Sequence, residues 1–121
     1  MEKKIVPFEI AKKLADKGFD KPTLLVYNDN GIIPELLPDV YTTFTTSKNA
    51  FYPAPNIYEV MDWLREEKNL YIRPSVYWIG WCFDITDINK NDKFIYSSEC
   101  EYQKFEQAAI AGINYVINNL I

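Results

Sequence analysis

The stretch 53–85 constrains the fold of this chain more than any other part of it. Pro55 suits the first position of a helix, because its φ is fixed and its missing N–H is not needed there. Behind it, apolar residues recur at the spacing of one helix face, and charged residues occupy the opposite side. The sequence therefore predicts an amphipathic helix over 55–69, with Asn69 in the left-handed position that ends it. Its apolar face consists of Ile57, Val60, Met61 and Leu64.

An aromatic strand is predicted over 76–85, shortly after that helix. Large apolar residues alternate along it with a mixed set, which is the period of a strand that has one buried face. We expect the helix to pack on the apolar face and to form the nucleus of an α+β layer. The predicted face consists of Tyr77, Ile79, Trp81, Phe83 and Ile85.

The N-terminal part of the chain is predicted to form a helix and a hairpin. The helix spans 7–17, Gly18 ends it, and Phe19 is expected to fold back against its last turn. Further on, Asn-Asp-Asn-Gly at 28–31 is typical of a hairpin turn, because Asn and Gly tolerate positive φ. The flanking strands are predicted at 23–27 and 32–33.

The C-terminal part is predicted to complete a second hairpin and to end in a helix. A polar turn at 86–92 leads into a returning strand at 93–97. The last helix is predicted over 101–119, with Ser98 as its N-cap. Gly112 lies inside this helix, where it costs about 1 kcal/mol relative to Ala, so we expect it at a close approach of the helix to the sheet.

These elements follow one another in the order α-β-β-α-β-β-α, which indicates an α+β fold. The length of 121 residues and the 48% content of hydrophobic residues suit one domain with a real core. We therefore expect a single domain over 1–121, with a small, mostly antiparallel sheet covered by helices. The 16% aromatic content is interpreted as core, and the alternative is a stacking surface for bases or sugars.

Charge and residue types argue against several classes of function. A net charge of −4 disfavours nucleic-acid binding, which depends on neutralising phosphates. With no membrane-length apolar run and no export signal in the sequence, we expect a cytoplasmic protein without a membrane partner. The chain has no histidine, the commonest general base and metal ligand. Cys82 and Cys100 are expected to be reduced and to serve packing.

The segment 34–54 is the best candidate for a binding site. It has neither the period of a helix nor that of a strand, and long segments of this kind are more often functional than idle. Trp63 lies at the margin of the central helix's apolar stripe, and an exposed Trp63 beside aromatic residues of 34–54 has the composition of a binding hot spot. Alternatively, these rings pin the segment to the core and Trp63 is buried. The predicted binding residues are Tyr41, Phe44, Tyr52 and Trp63.

One oxygen-rich cluster offers an alternative function. Asp84, Asp87 and Asp92 are candidate ligands of a divalent ion, which would make the protein a small metal-dependent hydrolase. Their spacing is not that of a calcium loop, and the terminal bidentate Glu is missing, so we interpret them as parts of a solvated turn. Cys82 has no histidine partner to activate it as a nucleophile. We predict neither a metal site nor a cofactor.

Three segments carry a resemblance. They are Pro-Phe-Glu-Ile-Ala-Lys-Lys-Leu…Lys-Gly-Phe at 7–19, Ala-Pro-x-x-x-x-Val-x-Asp-Trp-Leu-Arg-Glu-Glu at 54–67, and Tyr-x-x-Phe-Glu-x-Ala at 102–108. With them the chain resembles a group of small uncharacterised proteins of phages, prophages and mobile elements of gut anaerobes, although Leu64 stands where members have Phe. The resemblance implies an accessory protein and brings no activity or catalytic residue. We therefore predict a non-catalytic protein that acts through an unidentified protein partner or by self-association.

Overall fold

The computed structural model describes residues 5–23, 25–28, 30–32, 52–91 and 93–121. These residues form an α+β fold with three helices and two antiparallel sheets, which confirms the predicted class and order and adds one strand to the second sheet. The chain divides into two compact units, Met1–Asn56 and Ile57–Ile121. In chain order the elements are α1 (Phe8–Asp16), β1 (Val26–Tyr27), β2 (Tyr52–Pro53), α2 (Ile57–Lys68), β3 (Leu70–Tyr77), β4 (Gly80–Asp87), a 3-10 turn (Ile88–Lys90), β5 (Lys93–Ser97) and α3 (Phe105–Asn119).

Helix α1 ends as the sequence predicts. The N–H of Phe19 donates to the carbonyl of Leu14 at 2.9 Å, and the N–H of Gly18 donates to the carbonyl of Ala15 at 3.1 Å. This pair of hydrogen bonds defines a Schellman motif, in which Gly18 takes a positive φ of 96°. Phe19 is 1% exposed, so its predicted return to the last turn of the helix is confirmed.

In the first sheet, β1 pairs with a strand that the sequence pattern did not predict. The two ends of the predicted turn are hydrogen-bonded, since the N–H of Gly31 donates to the carbonyl of Asn28 at 3.0 Å. However, β1 pairs with β2, with Val26 opposite Pro53. Ile32 belongs to no strand and Ile33 lies outside the described residues, so the predicted second strand at 32–33 is wrong for Ile32. Turn residues act locally, whereas this pairing joins segments that are far apart in sequence.

Helix α2 forms close to its predicted bounds. It spans Ile57–Lys68, and Asn69 follows with a φ of 59°, which confirms its place as the left-handed cap. Its buried residues are Ile57, Val60, Trp63 and Leu64. The stripe therefore includes Trp63, whereas the predicted member Met61 is only half-buried.

The predicted single strand over 76–85 is wrong, because the chain reverses within it. Strands β3 and β4 are antiparallel partners in register from Leu70 opposite Asp87 to Tyr77 opposite Gly80. The predicted apolar face holds only in the second arm, where Phe83 is 3% exposed, whereas Tyr77 is 54% exposed. An alternating pattern continues unchanged through a short reversal, so periodicity alone does not reveal the turn.

Strand β3 begins before the predicted strand and includes a proline. It lies at one edge of the sheet, whose strand order is β3-β4-β5. Pro74 lacks a backbone N–H, and an edge strand is the place in a sheet where proline is tolerated. Proline is depleted in strands, so the sequence pattern predicted a strand that begins after Pro74, whereas β3 begins before it.

Helix α3 covers the sheet and approaches it closely at Gly112. A Cβ added to Gly112 would lie 2.7 Å from Cγ2 of Ile72 and 3.3 Å from the ring of Phe83, which confirms the predicted close approach. The helix begins at Phe105, later than predicted. Ser98 is not its N-cap, because its hydroxyl accepts the N–H of Phe83 at 2.9 Å. The predicted capping role of Ser98 is therefore wrong.

No helix among the described residues has the length and apolar character needed to cross a membrane.

Candidate interaction site at the hairpin tip

The β3–β4 hairpin ends in four consecutive apolar side chains that face solvent. The exposed fractions are 59% for Val76, 54% for Tyr77, 94% for Trp78 and 59% for Ile79. Val76 and Tyr77 end β3, and the other two residues form the reversal. We call these four residues the hairpin tip. Single exposed apolar residues are common on protein surfaces, whereas a contiguous exposed group is a candidate interaction site.

The hairpin tip lies within a run without charge. The residues 74–83 include no Asp, Glu, Lys or Arg. The flanking charges, Arg73 and Asp84, face each other in the strand register and form an ion pair at 2.9 Å. The side-chain hydrogen bond with Asp84 and the charge of its carboxylate raise the pKa of Arg73. Because these flanking charges compensate each other, the surface of the hairpin tip is dominated by apolar side chains.

Backbone hydrogen bonds and a ring contact anchor strand β4 at Trp81, close to the hairpin tip. The N–H of Trp81 donates to the carbonyl of Tyr102 at 2.7 Å, and the N–H of Tyr102 donates to the carbonyl of Trp81 at 3.1 Å. The ring of Trp81 also meets the ring of Phe105 edge-on, with 5.7 Å between centroids. A surface held in this way loses little conformational freedom when a partner binds, which favours affinity.

A shallow cleft of about 340 Å³ lies between α2 and β3. Both arginines that line it are already paired, Arg65 with Asp62 at 2.8 Å and Arg73 with Asp84 at 2.9 Å. Asp62 is the one carboxylate among its lining residues, so the cleft lacks the converging carboxylates of a two-acid catalytic site. The lining residues are Tyr58, Met61, Asp62, Arg65, Tyr71, Ile72, Arg73 and Pro74.

The predicted binding residues have different outcomes. Tyr41 and Phe44 lie outside the described residues. Tyr52 is half-buried in β2, where its ring packs edge-on against Phe8 at 5.8 Å between centroids. Trp63 is 3% exposed, so the expectation of an exposed Trp63 is wrong, and the buried alternative describes it. Its burial depends on what packs over the margin of α2, and helical periodicity does not determine that.

The aspartates of the predicted oxygen-rich cluster are engaged separately. Asp84 accepts hydrogen bonds from Arg73 at 2.9 Å and from the hydroxyl of Ser97 at 2.7 Å. Asp87 accepts the N–H of Asn89 at 3.0 Å and so caps the 3-10 turn, while Asp92 lies outside the described residues. Within the described ranges no three or more Cys, Asp or Glu side chains converge as metal ligands. The alternative hydrolase gains no support from this geometry.

Sequence reasoning missed the hairpin tip because it assigned these residues to one long strand. A usable signal was present in Gly80, which follows two large apolar residues and takes a φ of 148° in the structure. A Cβ at this position would lie 2.8 Å from the carbonyl oxygen of Cys100, so no larger residue fits without movement of the backbone. A glycine within a strand pattern is a known mark of a bulge, a bend or a close backbone contact.

Comparison with protein-family models, with curated proteins and with solved structures found no significant match. The function is therefore inferred from the site itself.

Proposed function

We propose that this chain is a non-catalytic binding protein that engages a folded protein partner through the hairpin tip. The observation that carries the proposal is the exposure of Trp78, at 94%, between two other exposed apolar residues. Trp and Tyr are the residues most enriched at binding hot spots, because each buries a large area at a low entropic cost. Trp78 is the central anchor, and Tyr77 and Ile79 border it.

The chemistry of the hairpin tip specifies the partner's pocket. The pocket is apolar, because the run 74–83 carries no charge to match. It also offers hydrogen-bond acceptors at its border, because the indole N–H of Trp78 and the hydroxyl of Tyr77 need partners when they are buried.

A protein pocket fits the hairpin tip better than a lipid surface does. Peripheral attachment to anionic membranes combines inserted aromatic residues with nearby Lys and Arg. The hairpin tip has no such residue within 74–83, and the chain has a net charge of −4, which opposes approach to an anionic surface. We therefore assign the hairpin tip to a protein partner.

The biological setting rests on the resemblance of three segments to phage and mobile-element proteins. We propose an accessory protein of that setting, which acts by contact with another protein. A cytoplasmic location is supported by Cys82 and Cys100, both of which are free thiols.

The test compares Trp78→Ser with Phe94→Ser. Phe94 lies in β5 and is 59% exposed, so its replacement removes exposed aromatic surface away from the hairpin tip. Both variants should keep the stability of the wild-type chain to within about 0.5 kcal/mol, because both side chains are exposed. A benzophenone side chain in place of Ile79 identifies the partner by photo-crosslinking in extracts, and that partner is then purified.

With the purified partner, Trp78→Ser should bind about 30-fold more weakly than the wild type, which corresponds to a hot-spot loss of about 2 kcal/mol. Phe94→Ser should bind like the wild type. Equal binding by Trp78→Ser would refute the proposal. The proposal would also be refuted if the wild-type chain bound phosphatidylserine vesicles, or dimerised in light scattering, and Trp78→Ser abolished that behaviour. Either result would assign the hairpin tip to a different occupant.

A further inference from the structure

Cys82 and Cys100 form a pair of thiols, although 18 positions separate them in the chain. Cys82 lies in β4 and is 4% exposed, whereas Cys100 is half-buried in the segment between β5 and α3. Cys100 is the neighbouring ionisable side chain of Cys82, and both residues are free thiols. One thiol is thus shielded from solvent, and its partner is reachable.

Backbone hydrogen bonds on both sides of Cys82 hold this arrangement in place. On one side, the N–H of Ser98 donates to the carbonyl of Phe83 at 2.9 Å. On the other side, Trp81 and Tyr102 exchange two backbone hydrogen bonds, at 2.7 Å and 3.1 Å. The segment 98–102 is therefore anchored at both ends on 81–83. This anchoring places Cys100, the middle residue of 98–102, beside Cys82, the middle residue of 81–83.

A metal site does not explain the pair. Structural zinc sites need four ligands, and thiolate and imidazole are the usual ones. The chain has no histidine, and in the described ranges no third Cys, Asp or Glu joins the two thiols. Two adjacent thiols without a third ligand suit a different reaction, the formation of a disulfide.

We propose that Cys82 and Cys100 are a reversible redox pair that closes to an intramolecular disulfide on reaction with glutathione disulfide. The thiolate of Cys100 attacks one sulfur of glutathione disulfide and releases one glutathione thiolate. The thiolate of Cys82 then attacks the sulfur of Cys100 in the mixed disulfide and releases the second. Each attacking thiol gives its proton to solvent, and each released thiolate takes one up, so two cysteines lose two electrons and one glutathione disulfide gains them.

The order of these steps follows from exposure. Cys100 is the more accessible thiol and meets the external disulfide first. Burial, with a smaller contribution from the neighbouring Cys100, raises the pKa of the Cys82 thiol to about 11. Cys82 is therefore protonated at neutral pH and reacts only when the mixed disulfide is brought against it.

Closure would affect the region that carries the hairpin tip. The disulfide would tie β4 covalently to the segment before α3, next to the contact between Gly80 and the carbonyl of Cys100. It would also close a loop that contains β5 and so restrict the unfolded chain, which raises stability. This proposal goes beyond the binding function and does not depend on it.

The test equilibrates the whole chain in buffers with increasing ratios of glutathione disulfide to glutathione, followed by alkylation and mass spectrometry. The expected result is a single transition in which both alkylatable thiols disappear and the mass falls by two hydrogen atoms, reversed by dithiothreitol. The oxidised chain should unfold at a higher urea concentration than the reduced chain. Cys82→Ser should accumulate a glutathione adduct at Cys100, and Cys100→Ser should keep an unmodified Cys82.

The wild-type chain alone decides the matter if a variant fails to fold. A stable glutathione adduct at Cys100 without closure would overturn the proposal. Retention of both thiols in the most oxidising buffer, or disulfide-linked dimers on a non-reducing gel, would overturn it as well.

Discussion

Gly112 shows how a single missing side chain positions a helix on this sheet. An added Cβ would meet Cγ2 of Ile72 at 2.7 Å and the ring of Phe83 at 3.3 Å. Both neighbours are 3% exposed, so neither can turn outward into solvent. The Cγ2 methyl is attached directly to the Cβ of Ile72 and moves only with the rotamer or the backbone.

We expect Gly112→Ala to destabilise the protein by about 1–3 kcal/mol, the usual cost of overpacking a core. This loss should occur although Ala is the better helix former by about 1 kcal/mol. Ala111→Gly is the control at the preceding position. It should also lower the free energy of unfolding by about 1 kcal/mol, here through the poorer helix propensity of Gly. Urea unfolding followed by circular dichroism measures both changes. A Gly112→Ala variant as stable as the wild type would show that Ile72 and Phe83 can shift to accommodate the added methyl group.

Predictions for the ends of α1 and α2 succeeded because neighbours in sequence decide these outcomes. Asn69 ends α2 with a φ of 59°, and Phe19 completes the end of α1, because both roles depend on the last turn of the same helix. The burial of Trp63 depends on contacts with parts of the chain that helical periodicity does not specify. The predicted binding role of Trp63 required an exposed side chain, and only that expected exposure is wrong.

Among the elements, the β3–β4 hairpin differs most from the sequence prediction. Period and composition correctly indicated strand structure for most of 76–85, but they did not indicate its reversal. Gly80 makes the reversal possible, with a φ of 148° and with the carbonyl oxygen of Cys100 at 2.8 Å from the position that a Cβ would take. The hairpin thus depends both on a conformation that favours glycine and on a close backbone contact.

Gly80→Ala tests that dependence, and Gly18→Ala is its matched control. Gly18 also has a positive φ, of 96°, but nothing lies within 4 Å of an added Cβ. The control should therefore show the conformational cost alone, about 1–2 kcal/mol. Gly80→Ala should lose more than this, because a strained backbone conformation and a backbone clash add together. The measurement is the urea midpoint of each variant, and equal losses would mean that the contact with Cys100 is readily relieved.

For the whole molecule, several ionisable groups favour folding in the same pH range. Burial raises the pKa of Cys82 from 9.0 to about 11, and it also raises those of Tyr27 and Tyr102 above 10.0. Each of these groups is held in its neutral form by the fold. Each group contributes fully to stability when the pH is below its ordinary pKa. This contribution is lost as the pH rises through its raised pKa.

We therefore expect the free energy of unfolding to fall as the pH increases from about 9 to about 11, as measured by urea unfolding at each pH. Cys82→Ala removes one of the titrating groups and should flatten this part of the profile, whatever its stability at neutral pH. A wild-type profile that is level over this range would show that the Cys82 thiol ionises in the folded chain as readily as in the unfolded one.

The candidate site was less predictable than the fold class. Alternating and helical periods identified an α+β chain, because they report which side of an element is buried. The hairpin tip is defined by the opposite property, the exposure of residues that are usually buried. Four apolar residues in a row give no sign of that exposure, which arises only once β3 and β4 pair and carry 78–79 away from the sheet.

Pro74 has a consequence for how molecules of this protein meet one another. A sheet that ends in an open strand can recruit further strands, and a hairpin with apolar residues at its end is prone to such growth. Pro74 interrupts the row of backbone donors on β3, an edge strand among the described residues, so strand-by-strand polymerisation has no continuous template there. The chain can thus expose apolar side chains at the end of the hairpin, while Pro74 protects β3 against fibril formation.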